Sequence, residues 1–232
     1  MKLQCHHIDG KRIFIRQGTP DVTVANSCLG NEFLLVSEIL ATISHENTIL
    51  DLGGYIGAAA IKFATTIPRC TVITLEPSPE NFQILQLNTM RYQNIIAVNA
   101  AIGSVCSKLP MYSRNTGEWG HTLVNAPKDC TEPSVIDTVD VLTIEQVLQK
   151  YSPPQNRLSL VKIDIEGGEV DLLSDPGWIG NFAVATAELH DRIIDGCTDA
   201  WAAATSQKPR LSIVETGEKM ISVDPALLRA LH

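Results

Sequence analysis

The sequence predicts an α/β fold on a mainly parallel sheet, with a β-hairpin at its N-terminus and an antiparallel strand at its C-terminal end. Three observations lead there. Residues 48–52 are part of a continuous apolar run around Ile49 and Leu50, which suits a strand buried on both faces. A glycine-rich turn follows this run and opens a good helix former, Ala58-Ala-Ala-Ile-Lys-Phe-Ala64, which Pro68 stops. At the other end, strands over 210–216 and 220–223 read as a hairpin around Gly217 and Glu218.

The elements between follow in order. Residues 4–7 and 11–15 form the N-terminal hairpin through a tight Asp9-Gly10 turn. Residues 29–43 read as a helix leading into the first core strand. Cys70 opens the second strand, which ends at Glu76. Ser78 caps the next helix with Pro79 at its first position, and that helix continues to about Tyr92. Residues 94–99 are the third strand. Between 103 and 140 the alternation breaks into short strands over 108–113 and 135–141 around a polar loop, an excursion more often functional than idle. Thr143 and Gln146 frame a capping box, and Pro153-Pro154 precedes a fourth strand over 158–163. Gly167-Gly168 turns the chain into a helix through Leu173, residues 183–189 are the fifth strand, and 199–205 an alanine-rich surface helix.

The 48–57 and 70–76 segments together have the plan of a nucleoside-cofactor site. Gly53 and Gly54 permit a tight turn and bring bare backbone against a ligand, Gly57 starts the helix, and Glu76 ends its strand where a carboxylate can hold a ribose. The glycine spacing is not Gly-x-Gly-x-x-Gly, the turn that carries a pyrophosphate, and Asp51 is a poor neighbour for a diphosphate. Asp51 suits the surroundings of the cationic methionine part of S-adenosylmethionine instead.

Five blocks, in order, extend this. Asp51-Leu-Gly-Gly-Tyr-Ile-Gly57, Leu75-Glu-Pro-Ser-Pro-Glu-Asn-Phe82, Val98-Asn-Ala-Ala-Ile-Gly103, Leu160-Val-Lys-Ile-Asp-Ile-Glu-Gly-Gly-Glu169 and Glu188-Leu-His190 resemble the FkbM family of methyltransferases. The resemblance implies a Rossmann-like class I fold with a seven-stranded sheet, S-adenosylmethionine as cofactor and S-adenosylhomocysteine as product, and O-methylation of a hydroxyl on a small molecule or glycan. It implies two parts, residues 1–45 as a hairpin and helix packed on the core and 46–232 as a single cofactor-binding unit. On this basis Asp51, Gly53, Gly54, Tyr55, Gly57, Glu76, Pro77, Asn81, Asn99, Ala101 and Asp164 are the expected cofactor residues. Positions 54 and 55 are Gly-Tyr where the family more often has Ala-Asn, which puts Tyr55 beside the methionine carboxylate.

Catalysis of methyl transfer is mainly positioning of nucleophile, methyl carbon and sulfur in line, helped by a base for the hydroxyl proton. Residues two apart on an extended backbone face one side, so Asp164 with Glu166, and Glu188 with His190, reach the sheet's carboxyl edge together. His190 is the expected base, with Asp164 and Glu188 as catalytic partners. Glu166, Trp119 and His121 are expected on the acceptor side, with Arg114 in the same loop. Asp164, Glu166, Glu188 and His190 together also suit Mg²⁺ or Mn²⁺; the sequence reading favours a metal-independent site.

With 26 acidic and 18 basic side chains, a net charge of −8 and no basic run, a nonspecific grip on nucleic acid is disfavoured. No apolar run of about 18 residues is present to span a bilayer, and no signal-peptide core begins the sequence, so a cytoplasmic enzyme is expected. Cysteines 5, 28, 70, 106, 130 and 197 form no Cys-x-x-Cys pair and read as reduced thiols. Cys5-His6-His7 lies on a strand whose side chains alternate, so its members diverge. A nucleotide-dependent oxidoreductase and a non-catalytic cofactor-binding protein are the alternative readings; the sequence does not rank acceptors or set the oligomeric state.

Overall fold

All six residues of the strand Asn47–Leu52 are buried, and the fold is layered around it. The computed structural model describes residues 2–232. The strands β1 (Leu3–Ile8) and β2 (Lys11–Arg16) pair antiparallel with Ile8 opposite Lys11. Asp9 and Gly10 are left as a two-residue turn at φ 48° and 71°, the doubly left-handed geometry that matches strand twist. Two helices follow, α1 (Asp21–Leu29) and α2 (Leu34–Ile39), where the sequence predicts one helix over 29–43. The break is at Gly30, where a Cβ would lie 2.6 Å from the Asn26 carbonyl oxygen. Val22, Thr23 and Val24 mask α1 in the sequence because β-branching lowers helix propensity.

The core then alternates: β3 (Asn47–Leu52), α3 (Ala58–Thr66), β4 (Cys70–Leu75), α4 (Pro79–Thr89) and β5 (Ile95–Val98). The Ser78 hydroxyl accepts from the Asn81 N–H at 3.4 Å, as its cap position requires, and α4 stops at Thr89, short of Tyr92. The irregular excursion contains β6 (Ala101–Ile102), β7 (Ser107–Ser113), β8 (His121–Thr122) and β9 (Ser134–Leu142), a four-stranded sheet in the order β6-β9-β7-β8. Both halves of the Thr143/Gln146 capping box open α5 (Ile144–Tyr151). After it come β10 (Arg157–Ile163), α6 (Glu169–Leu172), a 3₁₀ turn (Pro176–Asn181), β11 (Val184–Glu188), α7 (Cys197–Thr205), β12 (Leu211–Thr216), β13 (Lys219–Val223) and α8 (Pro225–Leu231). The predicted surface helix, α7, buries Cys197, Trp201 and Ala204 along one face. α8, absent from the sequence reading, is capped by Asp224, which accepts from the Ala226 and Leu227 N–H groups.

The main sheet has seven strands in the order β12-β13-β11-β10-β3-β4-β5. β11, β10, β3, β4 and β5 run parallel, and β13 is antiparallel to both its neighbours. The fold is Rossmann-like with a reversed strand near one edge. Alternate residues feed opposite layers: Ile49, Val72, Leu160 and Val184 pack with Ala25 and Leu29 of α1 and Phe63 of α3. Leu50, Ile73, Val161 and Ala185 pack with Val147 of α5 and Trp201 of α7. A one-residue slip of any central strand would exchange its two layers, so register is specified by both at once. The β1–β2 hairpin is tied to this body where the Phe14 N–H donates to Asn88 Oδ1 at 2.7 Å and Asn88 Nδ2 returns a bond to the Phe14 carbonyl. No helix among the described residues is long and apolar enough to cross a membrane. All six cysteines stand as free thiols.

The turn after β3 is the tightest backbone approach in the sheet. A Cβ on Gly53, at φ 86°, would lie 1.8 Å from the Asp164 carbonyl oxygen, whereas Gly10, at φ 71°, has open space around it. Left-handed strain and overpacking together make Gly53→Ala cost about 3 kcal/mol or more, against about 1 kcal/mol for Gly10→Ala. Urea denaturation of the two variants checks this, and equal losses would refute the steric account.

Candidate active site

The carboxyl ends of β3, β4, β10 and β11 meet at one edge, where ligands of open α/β sheets bind. A cavity of about 300 Å³ opens there. The N–H groups of Gly53 and Gly54 both donate to the Leu75 carbonyl, at 3.1 and 2.7 Å, folding the turn over β4. Gly53 borders the cavity. Gly54 and Gly57 face inward: a Cβ on Gly54 would meet Thr74 Oγ1 at 2.2 Å, and one on Gly57 would meet Thr89 at 2.9 Å. Those two glycines permit close packing on β4 and α4 and do not line the cavity.

Glu76, Tyr55, Pro77, Asn81 and Ala101 line the cavity on the β4 side. Glu76 accepts from the Ser78 N–H (2.9 Å), Asn81 Nδ2 (3.4 Å) and the Tyr55 N–H (2.8 Å). Burial pushes its carboxyl up to about 7, against those three donors. A carboxylate has about four acceptor directions, so capacity remains for a hydroxyl donor from the cavity. Together with the bare backbone at Gly53, this donor set fits a nucleoside. Tyr55 sits at φ 49° and its hydroxyl donates to Asp21 Oδ1 at 2.5 Å. The same Asp21 takes a two-pronged bond from Arg16, whose third donor reaches Asn81 Oδ1 at 2.8 Å. The N-terminal hairpin thus braces the cavity wall, a role the sequence reading does not anticipate.

Two further predicted cofactor residues, like Gly54 and Gly57, lie off the cavity wall. Asn99 is exposed, and its Nδ2 donates to the Glu76 and Pro77 carbonyls, so its side chain holds the loop in place. Asp51 is fully buried beneath the turn, accepting from Thr74 Oγ1 at 2.8 Å and lying 3.3 Å from Lys162 Nζ. Its carboxylate pairs with Lys162 beneath the turn.

At the cavity's far end Asp164, Glu166 and Glu188 face one another. Burial would raise Asp164, but Lys162 and His190 outweigh it and hold Asp164 below the ordinary carboxylate range. Burial pushes Glu166 up to about 7, and burial with the Asp164 charge raises Glu188. Glu166 also adopts a left-handed backbone, φ 52°, before Gly167 at 93°, strain of the kind that collects at functional turns.

His190 has no exposed surface and stands behind these carboxylates rather than in the cavity wall. Its Nδ1 bonds Glu169 Oε1 at 2.8 Å. Glu169 also accepts from the Ile165 N–H and the Cys197 thiol, so it serves as an acceptor throughout and His190 Nδ1 carries the proton. Burial disfavours a charged imidazole here, yet Glu169, Asp164 and Glu166 outweigh it and push His190 up to about 9. The expected base is thus fully buried, and the carboxylate bonded to it is Glu169 rather than Glu188 or Asp164. The clue in the sequence is the helix start: Glu169 directly follows Gly167-Gly168.

The polar loop closes the acceptor side. Trp119 and His121 both line the cavity. Trp119 is about half exposed and donates from Nε1 to the Thr116 carbonyl at 2.6 Å. Burial lowers the His121 pKa, and its Nδ1 is buried without a partner among the described residues. Arg114, expected as a donor to substrate, is itself buried and bonded to Asp129, Glu166 and the Gly120 carbonyl. It pins the loop to Glu166.

Among solved structures, the O-methyltransferase TomG from Streptomyces achromogenes, determined in complex with SAM, matches with a TM-score of 0.50 at 12% identity, over 88% of this chain and 82% of that one. WbdD matches with a TM-score of 0.51 at 11% identity, over 89% of this chain and 43% of that one. At such identities the likeness is one of fold. Methyltransferase 1 of Beauveria bassiana (strain ARSEF 2860) is 26% identical over 151 residues, 58% of this chain, which spans 60% of that curated relative. Residues 51–200, more than half of the chain, match the model of the methyltransferase FkbM domain. The glycine turn, Glu76 and the 160–169 block all fall inside that span, and the chain belongs to the FkbM methyltransferase family.

Proposed function

We propose that this chain is an S-adenosylmethionine-dependent O-methyltransferase whose acceptor is a hydroxyl of a small molecule or glycan. The observation that carries the reading is a single cavity with Glu76 at one end and Asp164, Glu166 and Glu188 at the other, in a member of this family. S-adenosylmethionine supplies a methyl carbon on a cationic sulfur, which an acceptor oxygen displaces in line as the C–S bond breaks and the O–C bond forms. Gly53 and Tyr55 present the turn to the cofactor, Glu76 accepts from ribose hydroxyls, and Pro77, Asn81 and Ala101 border the adenine side. Asp164, held ionised, places negative charge at the reacting end. Glu188 is about one-third exposed, lines the cavity and has its carboxyl raised, which suits it to take the hydroxyl proton. His190 positions that cluster from behind, and Trp119 and His121 wall the acceptor. The net charge of −8 and the acidic far end favour a neutral acceptor over nucleic acid.

Calorimetric titration with S-adenosylhomocysteine, beside NADH as control, is expected to give saturable binding of the former alone; binding of NADH alone would overturn the reading. With an acceptor found from a panel of hydroxylated compounds, Glu188→Gln is expected to slow turnover by about 10²–10⁴-fold while leaving S-adenosylhomocysteine affinity intact. An undiminished rate would take the base role away from Glu188.

Glu76 adds a pH dependence of known sign. Its folded pKa of about 7 stands above the ordinary carboxylate value, so it gains a proton as pH falls through neutrality and loses acceptor capacity for ribose hydroxyls. S-adenosylhomocysteine affinity is therefore expected to drop about tenfold between about pH 7.5 and about pH 5.5. Glu76→Gln should bind more weakly at the upper pH and show a flat profile; a wild-type profile that is already flat would contradict the assignment.

A further inference from the structure

The carboxylates around His190 are each satisfied on one side only. Asp164 Oδ2 lies 3.2 Å from Lys162 Nζ, and Glu166 Oε2 is bonded by Arg114. Their other oxygens, Asp164 Oδ1 and Glu166 Oε1, turn to His190 Nε2 and stop at 3.8 and 3.9 Å, beyond hydrogen-bonding reach. That nitrogen is fully buried and has no hydrogen-bond partner among the described residues. Its orientation is imposed from the far side, because Glu169 bonds the ring at Nδ1 and so turns Nε2 toward the two oxygens. A carboxylate behind a histidine whose free nitrogen faces further carboxylates is the outer-shell arrangement of metal sites.

We propose that Asp164, Glu166 and His190 bind a divalent cation of the Mn²⁺ class at the acceptor end of the cavity. Their three ligand atoms all lie within 4.8 Å of one another. Ligand bonds of about 2.1 Å place trans ligands about 4.2 Å apart and cis ligands nearer, so a shift of less than about 1 Å closes the set. Two hard carboxylate oxygens suit Mg²⁺, Mn²⁺ or Ca²⁺, while an imidazole tilts the choice toward Mn²⁺. The sequence reading preferred a metal-independent centre; it had no means of seeing that His190 Nε2 is orphaned or that Lys162 and Arg114 take only one oxygen from each carboxylate. The cation's use rests on the methyltransferase reading. Beside an acceptor hydroxyl it lowers the pKa of that hydroxyl and eases the task of Glu188, which stays on the open side with Oε1 4.0 Å from His190 Nε2.

The test is a Mn²⁺ titration of chelator-stripped full chain, followed by loss of the free-ion electron paramagnetic resonance signal, with pulsed detection of nitrogen hyperfine coupling in the bound ion. One saturable site per chain with an imidazole nitrogen coupling is expected. His190→Gln should abolish the coupling, and Glu169→Gln should keep it while weakening affinity about 10–100-fold. No saturable uptake into the millimolar range, or uptake without nitrogen coupling in the wild-type protein, would overturn the proposal whatever the variants do. S-adenosylhomocysteine binding on the same preparation separates the two readings: cofactor without cation refutes this site alone, and cation without cofactor refutes the methyltransferase reading alone.

Discussion

The buried ammonium of Lys162 is the interaction on which the site depends. It lies near the end of β10, donates to the Gly53 carbonyl at 2.7 Å, and is flanked by Asp51 at 3.3 Å and Asp164 at 3.2 Å. One group thus ties the glycine turn of β3 to the reactive end of β10. Burial opposes its charge, but the two aspartates outweigh that cost and raise its pKa. At Asp51, which has no exposure at all, burial wins over Lys162 and raises the carboxyl, so the same carboxylate without its lysine would be strongly destabilising. The Gly53 backbone, pressed against Asp164, leaves no space for another arrangement. Fold and site therefore share a single knot, and the residues that make it are charged ones in a place where hydrophobic burial alone would have excluded them.

A second brace comes from the other end of the chain. Arg16, on the hairpin's last residue, is buried and spends its guanidinium on Asp21 and Asn81. Tyr55 closes the loop through Asp21, and Arg16 also lies over its ring, 5.4 Å from the centroid. The Tyr55 departure from the family pattern thereby acquires a physical reason. Gly54 leaves no Cβ to collide with Thr74, Tyr55 takes the left-handed turn, and its side chain reaches the hairpin instead of filling the cavity.

Elements whose signal is local were legible in the sequence. Asp9-Gly10 specifies its hairpin, Ser78-Pro79 and Thr143 with Gln146 specify their helix starts, and continuous apolar runs mark the parallel strands. Asp224-Pro225 carries the same grammar as Ser78-Pro79, so the start of α8 is legible by the same rule. Helix α1 was not readable from periodicity, because Val22, Thr23 and Val24 argue locally for strand while tertiary packing of Ala25 and Leu29 decides for helix. At the site, strand alternation correctly groups Asp164 with Glu166 and Glu188 with His190. What alternation does not tell is depth. Asp51, Asn99 and His190 stand at the right strand ends yet lie beneath, outside and behind the cavity. The buried partners Lys162, Glu169 and Arg16 read as solvated charges until the topology brings their counterions from distant segments.

The layout of charge then explains how a strongly acidic end can exist inside a folded domain. Asp164, Glu166 and Glu188 each meet a cation: Lys162, Arg114, and Lys219 at 3.9 Å. Those cations come from β10 itself, from the excursion between β7 and β8, and from β13, so the cluster is neutralised only when the core sheet, the inserted loop and the reversed C-terminal hairpin are all in place. The lysines and Arg114 approach from outside, while the inward oxygens converge on His190, whose own charge also favours the ionised carboxylates. A cluster built this way is electrostatically tolerable because each carboxylate meets a cation at its rim and all of them face the His190 imidazole at its centre.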